Sequence, residues 1–130
     1  MTTIKSKQRV ADHGEVYTNH REVSAMVDLV SHEAKRVDSK FLEPACGNGN
    51  FLIEILKRKV DYINSRYSSS QTDFERYLFL ATTSVYGVDI QQDNVYECRE
   101  RLLTFLVETY KKLFKKTYKP QFIKSISFVI

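Results

Sequence analysis

Apolar residues recur at the helical period in three long stretches of the chain. The first stretch predicts a helix over about residues 20–36, with Asn19 and Glu22 as a capping pair at its start. A second helix is predicted to begin near Asn50, and a third is predicted to be capped by Asp93. The three apolar stripes are Val23, Met26, Val27, Val30 and Ala34; Leu52, Ile55, Leu56, Val60 and Ile63; and Val95, Cys98, Leu102, Phe105, Leu106, Thr109 and Leu113.

Two shorter segments have the composition of strands. Phe41 and Leu42 open a strand that must end at Pro44, because proline cannot donate to a sheet ladder. Residues 84–90 have the β-branched content of a buried strand. The remaining segments are a serine-rich loop over 68–72, a short helical segment over 74–81, and an apolar tail over 122–130 that fits a helix or a strand.

The order of these elements predicts the fold class. Helices that alternate with strands indicate a parallel sheet in an α/β domain. Parallel sheets normally contain several strands and are covered on both faces, so two strands indicate part of a larger fold. We therefore expect an incomplete domain over residues 13–130, preceded by a mobile segment over residues 1–12.

The composition is that of a globular protein, with 42% hydrophobic and 28% charged residues. No apolar run approaches the roughly 20 residues that span a bilayer. The first ten residues are polar and basic and precede no hydrophobic stretch, which argues against a secretion signal. Cys46 and Cys98 are too few for a disulfide framework, and the three histidines form no ligand pattern. We expect a reduced, cytoplasmic protein with no membrane association and no metal site.

Charge is distributed unevenly along the chain, whose net charge is +4 at pH 7. Residues 101–130 contain seven basic residues and one acidic residue, so the first 100 residues have a net charge of −2. One interpretation is a surface that faces phosphates, and the other is a solvated helix end with lysines placed favourably for the helix dipole. The lysines concerned are Lys111, Lys112, Lys115, Lys116, Lys119 and Lys124.

The strongest chemical signal is a glycine turn between the first strand and the second helix. Gly47 and Gly49 allow positive φ angles and let a ligand approach the backbone closely. The helix that follows adds unpaired N–H groups at the same place. A dinucleotide fingerprint would require a third glycine where Leu52 stands, and no Gly-Lys-Ser/Thr follows the turn. The alternative is a plain strand-to-helix corner.

Two carboxylates near this turn indicate which ligand it could take. Glu43 immediately precedes the turn and would repel a pyrophosphate, but it would attract an amino group or a sulfonium. Asp89 stands at the carboxyl end of the second strand, where an acid commonly accepts hydrogen bonds from ribose hydroxyls. Ile90 offers an apolar surface for a purine. These features favour S-adenosylmethionine, although Asp89 could instead be a helix cap or a solvent-facing strand end.

Three segments resemble motifs of the N6-adenine DNA methyltransferases of bacterial restriction–modification systems, such as type I and IIG modification subunits. The central match corresponds to the family form Asp/Glu-Pro-Ala-Cys-Gly-Ser-Gly-x-Phe-Leu, with Asn48 in place of the serine. The likeness covers about residues 13–106. The three segments are Gly14-Glu15-Val16-Tyr17-Thr18, Glu43-Pro44-Ala45-Cys46-Gly47-Asn48-Gly49-Asn50-Phe51-Leu52, and Tyr86-Gly87-Val88-Asp89-Ile90.

The resemblance implies a partial Rossmann-like methyltransferase fold, preceded by an N-terminal helix, and a role for each matched residue. Thr18 would meet the methionine carboxylate of the cofactor, and Glu43 would lie near its amino group. Asp89 would hold the ribose hydroxyls, Ile90 would pack on the adenine, and Tyr17 would help to cover the pocket. The turn residues Pro44, Ala45, Gly47, Asn48 and Gly49 would line the methionine moiety, and Cys46 is a packing residue in this family.

The family's catalytic motif, Asn/Asp/Ser-Pro-Pro-Tyr/Phe/Trp, does not occur in the chain. Its two prolines, Pro44 and Pro120, are far apart, so no catalytic residue is predicted and the chain alone should not transfer a methyl group. DNA would be the partner of the complete enzyme, and an open sheet edge would take the remainder of the methyltransferase or a second copy.

Two alternatives belong to other functional classes. One is a non-catalytic binding or regulatory module that keeps the fold and associates with a partner chain. The other is an unrelated nucleotide-binding oxidoreductase domain, against which Glu43 and Leu52 both argue.

Overall fold

The computed structural model describes residues 19–43 and 46–130. The predicted mobile segment over residues 1–12 lies outside them, as do the predicted cofactor contacts Tyr17, Thr18, Pro44 and Ala45. In chain order the elements are α1 (His20–Asp28), α2 (Ser31–Ala34), β1 (Phe41–Glu43), α3 (Asn50–Tyr67), α4 (Gln71–Thr83), β2 (Val85–Gly87), α5 (Gln92–Leu113) and α6 (Pro120–Val129).

The two strands form a parallel pair, which confirms the expected parallel arrangement within a mixed α/β structure. Phe41 lies opposite Val85, Leu42 opposite Tyr86 and Glu43 opposite Gly87. The chain between the strands contains both α3 and α4, as a parallel connection requires a crossover. The carboxyl ends of both strands therefore lie at one edge of the sheet, where the glycine turn leads into α3.

The core is organised around α3, which is buried on more than one side. Its residues Leu52, Leu56 and Ile63 belong to a large apolar cluster with α4, α5 and α6. On another side of the same helix, Ile55 joins Val23 and other residues of α1 and α2 in a second cluster. Both clusters include Val85 of β2 at their margin. The helix that follows the glycine turn is thus held in place by nearly every other element.

Only one face of the strand pair is covered by the described part of the chain. Side chains alternate between the two faces of a strand, so Leu42 and its partner Tyr86 point away from Phe41 and Val85. Phe41 and Val85 pack against the cores, whereas Leu42 is 67% exposed and Tyr86 is 47% exposed. This bare apolar face is compatible with a partial α/β methyltransferase fold.

Three elements have other boundaries than predicted. The predicted helix over 20–36 is interrupted at Val30, whose φ of −118° and ψ of 27° are not helical. The apolar stripe predicted one continuous buried face, but two of its members, Met26 and Val30, are exposed. The predicted strand over 84–90 is paired only over Val85–Gly87. The short helix is longer than predicted, since Ser70 of the serine-rich loop caps α4 by accepting the Asp73 N–H.

The cap of α5 was also predicted wrongly, whereas the cap of α1 is confirmed. Gln91 occupies the N-cap of α5, and Asp93 lies within the first turn and accepts the Asn94 N–H. For α1, the Asn19 side chain accepts the Glu22 N–H at 3.0 Å. The apolar tail, left open between helix and strand, is the helix α6. Its first residue is Pro120, whose fixed φ suits that position.

A buried lysine fixes the opposite, amino-terminal edge of the sheet. Lys59 of α3 has 0% exposure, and its Nζ donates to the carbonyls of Val37 (3.1 Å) and Ser39. The same nitrogen donates to the Ser84 Oγ at 2.6 Å. These acceptors precede β1 and β2, so a single side chain ties the beginnings of both strands to α3. Burial lowers the pKa of Lys59 to about 8.

We expect the Lys59→Met variant to lose about 2 kcal/mol of stability at pH 7.5, because two carbonyls and a hydroxyl lose their donor. The pKa of about 8 in the folded state lies below the ordinary lysine value of 10.5, so the unfolded state binds more protons between these pH values. The free energy of unfolding of the parent chain should therefore rise relative to Lys59→Met from pH 8 to 10.5. Urea unfolding of both proteins across this range tests the prediction, and a constant or falling difference contradicts it.

Candidate functional site

The glycine turn has a backbone conformation that only glycine adopts readily. Gly47 has a φ of 55° and Gly49 a φ of 92°, and Gly49 is also the N-cap of α3. A Cβ on Gly49 would lie 2.6 Å from the Cys98 Sγ and 3.3 Å from the Cys98 Cα, so α5 packs directly on the turn. Both the conformation and the space at residue 49 therefore require glycine.

Backbone hydrogen bonds between the strand ends lead the chain into this turn. The Val88 N–H donates to the Glu43 carbonyl at 3.0 Å, and the Cys46 N–H donates to the Val88 carbonyl at 2.9 Å. The Gly49 N–H then closes the turn on the Cys46 carbonyl at 2.9 Å. The parallel pairing thus continues past β1 and β2 until the first glycine, which places Glu43 and Asp89 at the same edge of the sheet.

Asp89 anchors the turn from the end of β2. Its Oδ2 accepts the Gly47 N–H at 3.0 Å across 42 residues of sequence. Its Oδ1 accepts the Gln91 N–H at 2.7 Å and the Asn94 Nδ2 at 3.3 Å. The bonds to Gln91 and Asn94 resemble those of a helix cap, which was one of the two roles predicted for Asp89. A carboxylate offers about four acceptor positions, so this role does not prevent Asp89 from also accepting a hydrogen bond from a cofactor.

Arg101 holds the turn from the other side. Its Nη1 donates to the Asn48 carbonyl at 3.1 Å and to the Asn50 Oδ1 at 2.6 Å. No motif in the sequence pointed to this residue, nor to Asn94. The one available signal was spacing: both lie on α5, which begins directly after Asp89 and must pass the turn.

The turn leaves one backbone donor for a ligand. Gly47 and Gly49 donate to Asp89 and to the Cys46 carbonyl, whereas no described residue accepts a hydrogen bond from the Asn48 N–H. Ile90, predicted to meet a purine, is 80% exposed beside this edge. The described part of the predicted set, namely Glu43, Gly47, Asn48, Gly49, Asp89 and Ile90, therefore occupies one edge of the sheet.

The beginning of α1 lies close to the same place. Arg58 of α3 bonds the Asp28 carboxylate at 2.7 Å and the Ser24 Oγ at 3.1 Å, which fixes α1 along α3. The His20 Nε2 lies 3.7 Å from the Glu54 Oε2. Glu54 is about one helical turn from the beginning of α3. The N-terminal helix therefore starts within reach of the glycine turn.

The two cysteines lie behind the turn and are shielded from reaction. Burial, followed by the negative charge of Asp89, raises the pKa of Cys46. Burial and the neighbouring Cys46 raise the pKa of Cys98 to about 12. Both therefore remain protonated thiols at neutral pH, and neither has the thiolate character of a nucleophile. A cavity of about 300 Å³ beneath them is lined mainly by apolar residues of α3, β2 and α5.

The basic cluster lies far from the turn. α5 starts beside Asp89 and runs for 22 residues, which at 1.5 Å per residue is about 33 Å. Lys111 and Lys112 lie in its last turn, and Lys115 and Lys116 follow it. Lys119 is paired with Glu75 at 3.5 Å. The lysine cluster is therefore separate from the candidate site.

Within residues 19–43 and 46–130, no group of three or more histidine, cysteine or acidic side chains is arranged to hold a metal ion. The same residues contain no helix that is long and apolar enough to cross a membrane.

One curated relative shares sequence with part of the chain. The type I restriction enzyme MjaVII methylase subunit of Methanocaldococcus jannaschii is 36% identical over 86 residues. The match covers 64% of this chain but 14% of that protein, so the chain corresponds to a small part of the relative's length. No family model matches the chain, and no solved structure matches it. The chain is thus similar to a restriction–modification methylase subunit over about two thirds of its length.

Proposed function

We propose that this chain is the S-adenosylmethionine-binding part of a DNA methyltransferase of a restriction–modification system that methylates adenine at N6. The observation that carries the proposal is the bond between Asp89 and the Gly47 N–H, which joins the end of β2 to the glycine turn after β1. The similarity to a methylase subunit supports the same conclusion. A plain strand-to-helix corner would not need a carboxylate from a neighbouring strand at its centre.

The chemistry of the turn fits this cofactor. S-adenosylmethionine carries an ammonium, a carboxylate, a ribose and a purine, and its sulfonium supplies the methyl group. Acceptors for the ammonium and the hydroxyls come from Glu43 and Asp89, and the Asn48 N–H is a donor for the carboxylate. Ile90 provides the apolar surface for the purine. A ligand with opposite charges at its methionine end suits this mixture of acids and backbone donors.

Methyl transfer to DNA would need further residues. The 130 residues contain no Pro-Pro pair, and hence no Asn-Pro-Pro-Tyr segment to hold a flipped adenine. The bare face formed by Leu42 and Tyr86 supports association with the remainder of a methyltransferase or with a second copy. In this proposal the chain by itself binds the cofactor but does not transfer its methyl group. The non-catalytic module remains the second candidate, favoured by the same exposed face.

Titration calorimetry tests the proposal. We expect a measurable heat with S-adenosylmethionine and with its demethylated product, and none with NAD or ATP, because Glu43 stands where their phosphates would approach. Circular dichroism of the same sample must show a folded protein. A folded chain that gives no heat with S-adenosylmethionine would contradict the cofactor proposal and favour the non-catalytic module.

A further inference from the structure

The glycine turn is fixed through two of its peptide groups, each held at both ends. The peptide between Cys46 and Gly47 donates its N–H to Asp89 and accepts the Gly49 N–H through its carbonyl. The peptide between Asn48 and Gly49 donates that Gly49 N–H. Its carbonyl has one described side-chain donor, Arg101. A carboxylate and a guanidinium thus hold successive parts of the turn from different elements.

We propose that Arg101 is a positioning residue that holds the glycine turn in the conformation that receives the cofactor. This inference rests on the proposed cofactor site. Two glycines with positive φ have no side chains to restrict them, so the shape of the turn depends on its outside contacts. The Arg101 bond to the Asn48 carbonyl sets the orientation of that peptide, and with it the direction of the adjoining Asn48 N–H.

The use of the Arg101 guanidinium supports this role. Of the ion pairs within the described residues, none involves Arg101, although Glu97 and Glu100 precede it closely on the same helix. The guanidinium is directed instead to two neutral acceptors, the Asn48 carbonyl and the Asn50 Oδ1. Its side chain is partly buried. A charged donor forms a strong hydrogen bond with a neutral oxygen, and the two N–H groups of Nη1 allow both contacts at once.

Arg99 provides a matched control on the same helix. It is exposed and makes no hydrogen bond or ion pair with any described residue. Arg99→Met and Arg101→Met each replace an arginine with methionine, and the two positions are two residues apart on α5. Both variants therefore lose the same positive charge. Differences between the two variants therefore report the contact with the turn rather than the net charge of α5.

The experiment measures cofactor affinity by calorimetry and amide hydrogen exchange by NMR in the full chain. We expect Arg101→Met to bind S-adenosylmethionine about tenfold more weakly than the parent and to exchange the Gly49 amide about tenfold faster. Amides of α4 should exchange at the parent rate, since a merely structural loss would accelerate those as well. Arg99→Met should change neither quantity. Arg101→Lys, which keeps the charge and the stem, should give an intermediate affinity.

Several results would overturn the inference. One is an Arg101→Met affinity within twofold of the parent, and another is an equal loss in Arg99→Met. Unchanged exchange at Gly49 would also overturn it. If Arg101→Met does not fold, Arg101→Lys decides, and parent affinity and parent exchange in that variant count against the positioning role. A parent chain that does not bind S-adenosylmethionine defeats the proposed function, whereas the exchange of Gly49 still shows whether Arg101 holds the turn.

Discussion

Replacing Gly49 with alanine is expected to lower the free energy of unfolding by about 2 to 5 kcal/mol and to abolish cofactor binding. The positive φ of 92° costs an alanine about 1 to 2 kcal/mol. The new Cβ would also stand 2.6 Å from the Cys98 Sγ, and such overpacking costs about 1 to 3 kcal/mol. Urea unfolding and calorimetry with S-adenosylmethionine measure the two effects.

A second substitution separates the two causes. Cys98→Ala removes the sulfur that the new Cβ would meet, although its own Cβ remains 3.2 Å away. The Gly49→Ala/Cys98→Ala double variant should therefore be more stable than the sum of the two single losses indicates. Strict additivity would mean that contact with α5 does not limit residue 49. A loss below about 1 kcal/mol in Gly49→Ala would contradict the described geometry altogether.

Asp89→Ala is expected to remove any measurable heat of S-adenosylmethionine binding. The change takes away the acceptor of the Gly47 and Gln91 N–H groups and of the Asn94 side chain. We expect a loss of about 1 to 3 kcal/mol of stability, because three donors lose one shared partner. Calorimetry at protein concentrations where urea unfolding shows the variant to be folded distinguishes lost binding from lost structure.

Asp61→Ala is the control for this variant. Asp61 lies on an exposed side of α3. Its replacement by alanine removes the same charge as Asp89→Ala but leaves the turn untouched. It should bind the cofactor as the parent does. Asn in place of Asp89 should restore part of the stability, since an amide oxygen still accepts one or two of the three hydrogen bonds. Binding that is indifferent to Asp89→Ala would remove this residue from the cofactor site.

The parts of the fold that the sequence predicted are those with local causes. Asn19 caps α1 because its own side chain reaches the Glu22 N–H, and this is visible within four residues of sequence. The strand at Phe41 and the turn at Gly47 and Gly49 were equally local signals. Parallel pairing followed from the order of helices and strands. The break at Val30 was hidden because its stripe looks continuous, whereas in the structure Val27 and Ala34 are buried against α3 and Val30 between them is exposed.

The parts that could not be predicted depend on contacts between distant residues. Arg101 reaches the Asn48 carbonyl across 53 residues, and nothing around Arg101 distinguishes it from the exposed Arg99. Lys59 is similar, since a lysine on a helix is normally solvated, yet this one lies on the side that faces Ser39 and Ser84. The tail was ambiguous because its apolar run fits the period of a helix as well as that of a strand. In the structure it is the helix α6, and Pro120 suits the first position of that helix.

An NMR titration of the isotope-labelled chain with S-adenosylmethionine examines the site residue by residue. We expect saturable shifts of the amides of Gly47, Asn48, Gly49 and Ile90, with smaller changes elsewhere and none around the lysines that follow α5. Such a pattern would mean that the glycine turn after β1 and the segment of Asp89 and Ile90 after β2 recognise the same small molecule. Spectra that stay unchanged at saturating ligand, or that change only at a distant surface, would contradict that account.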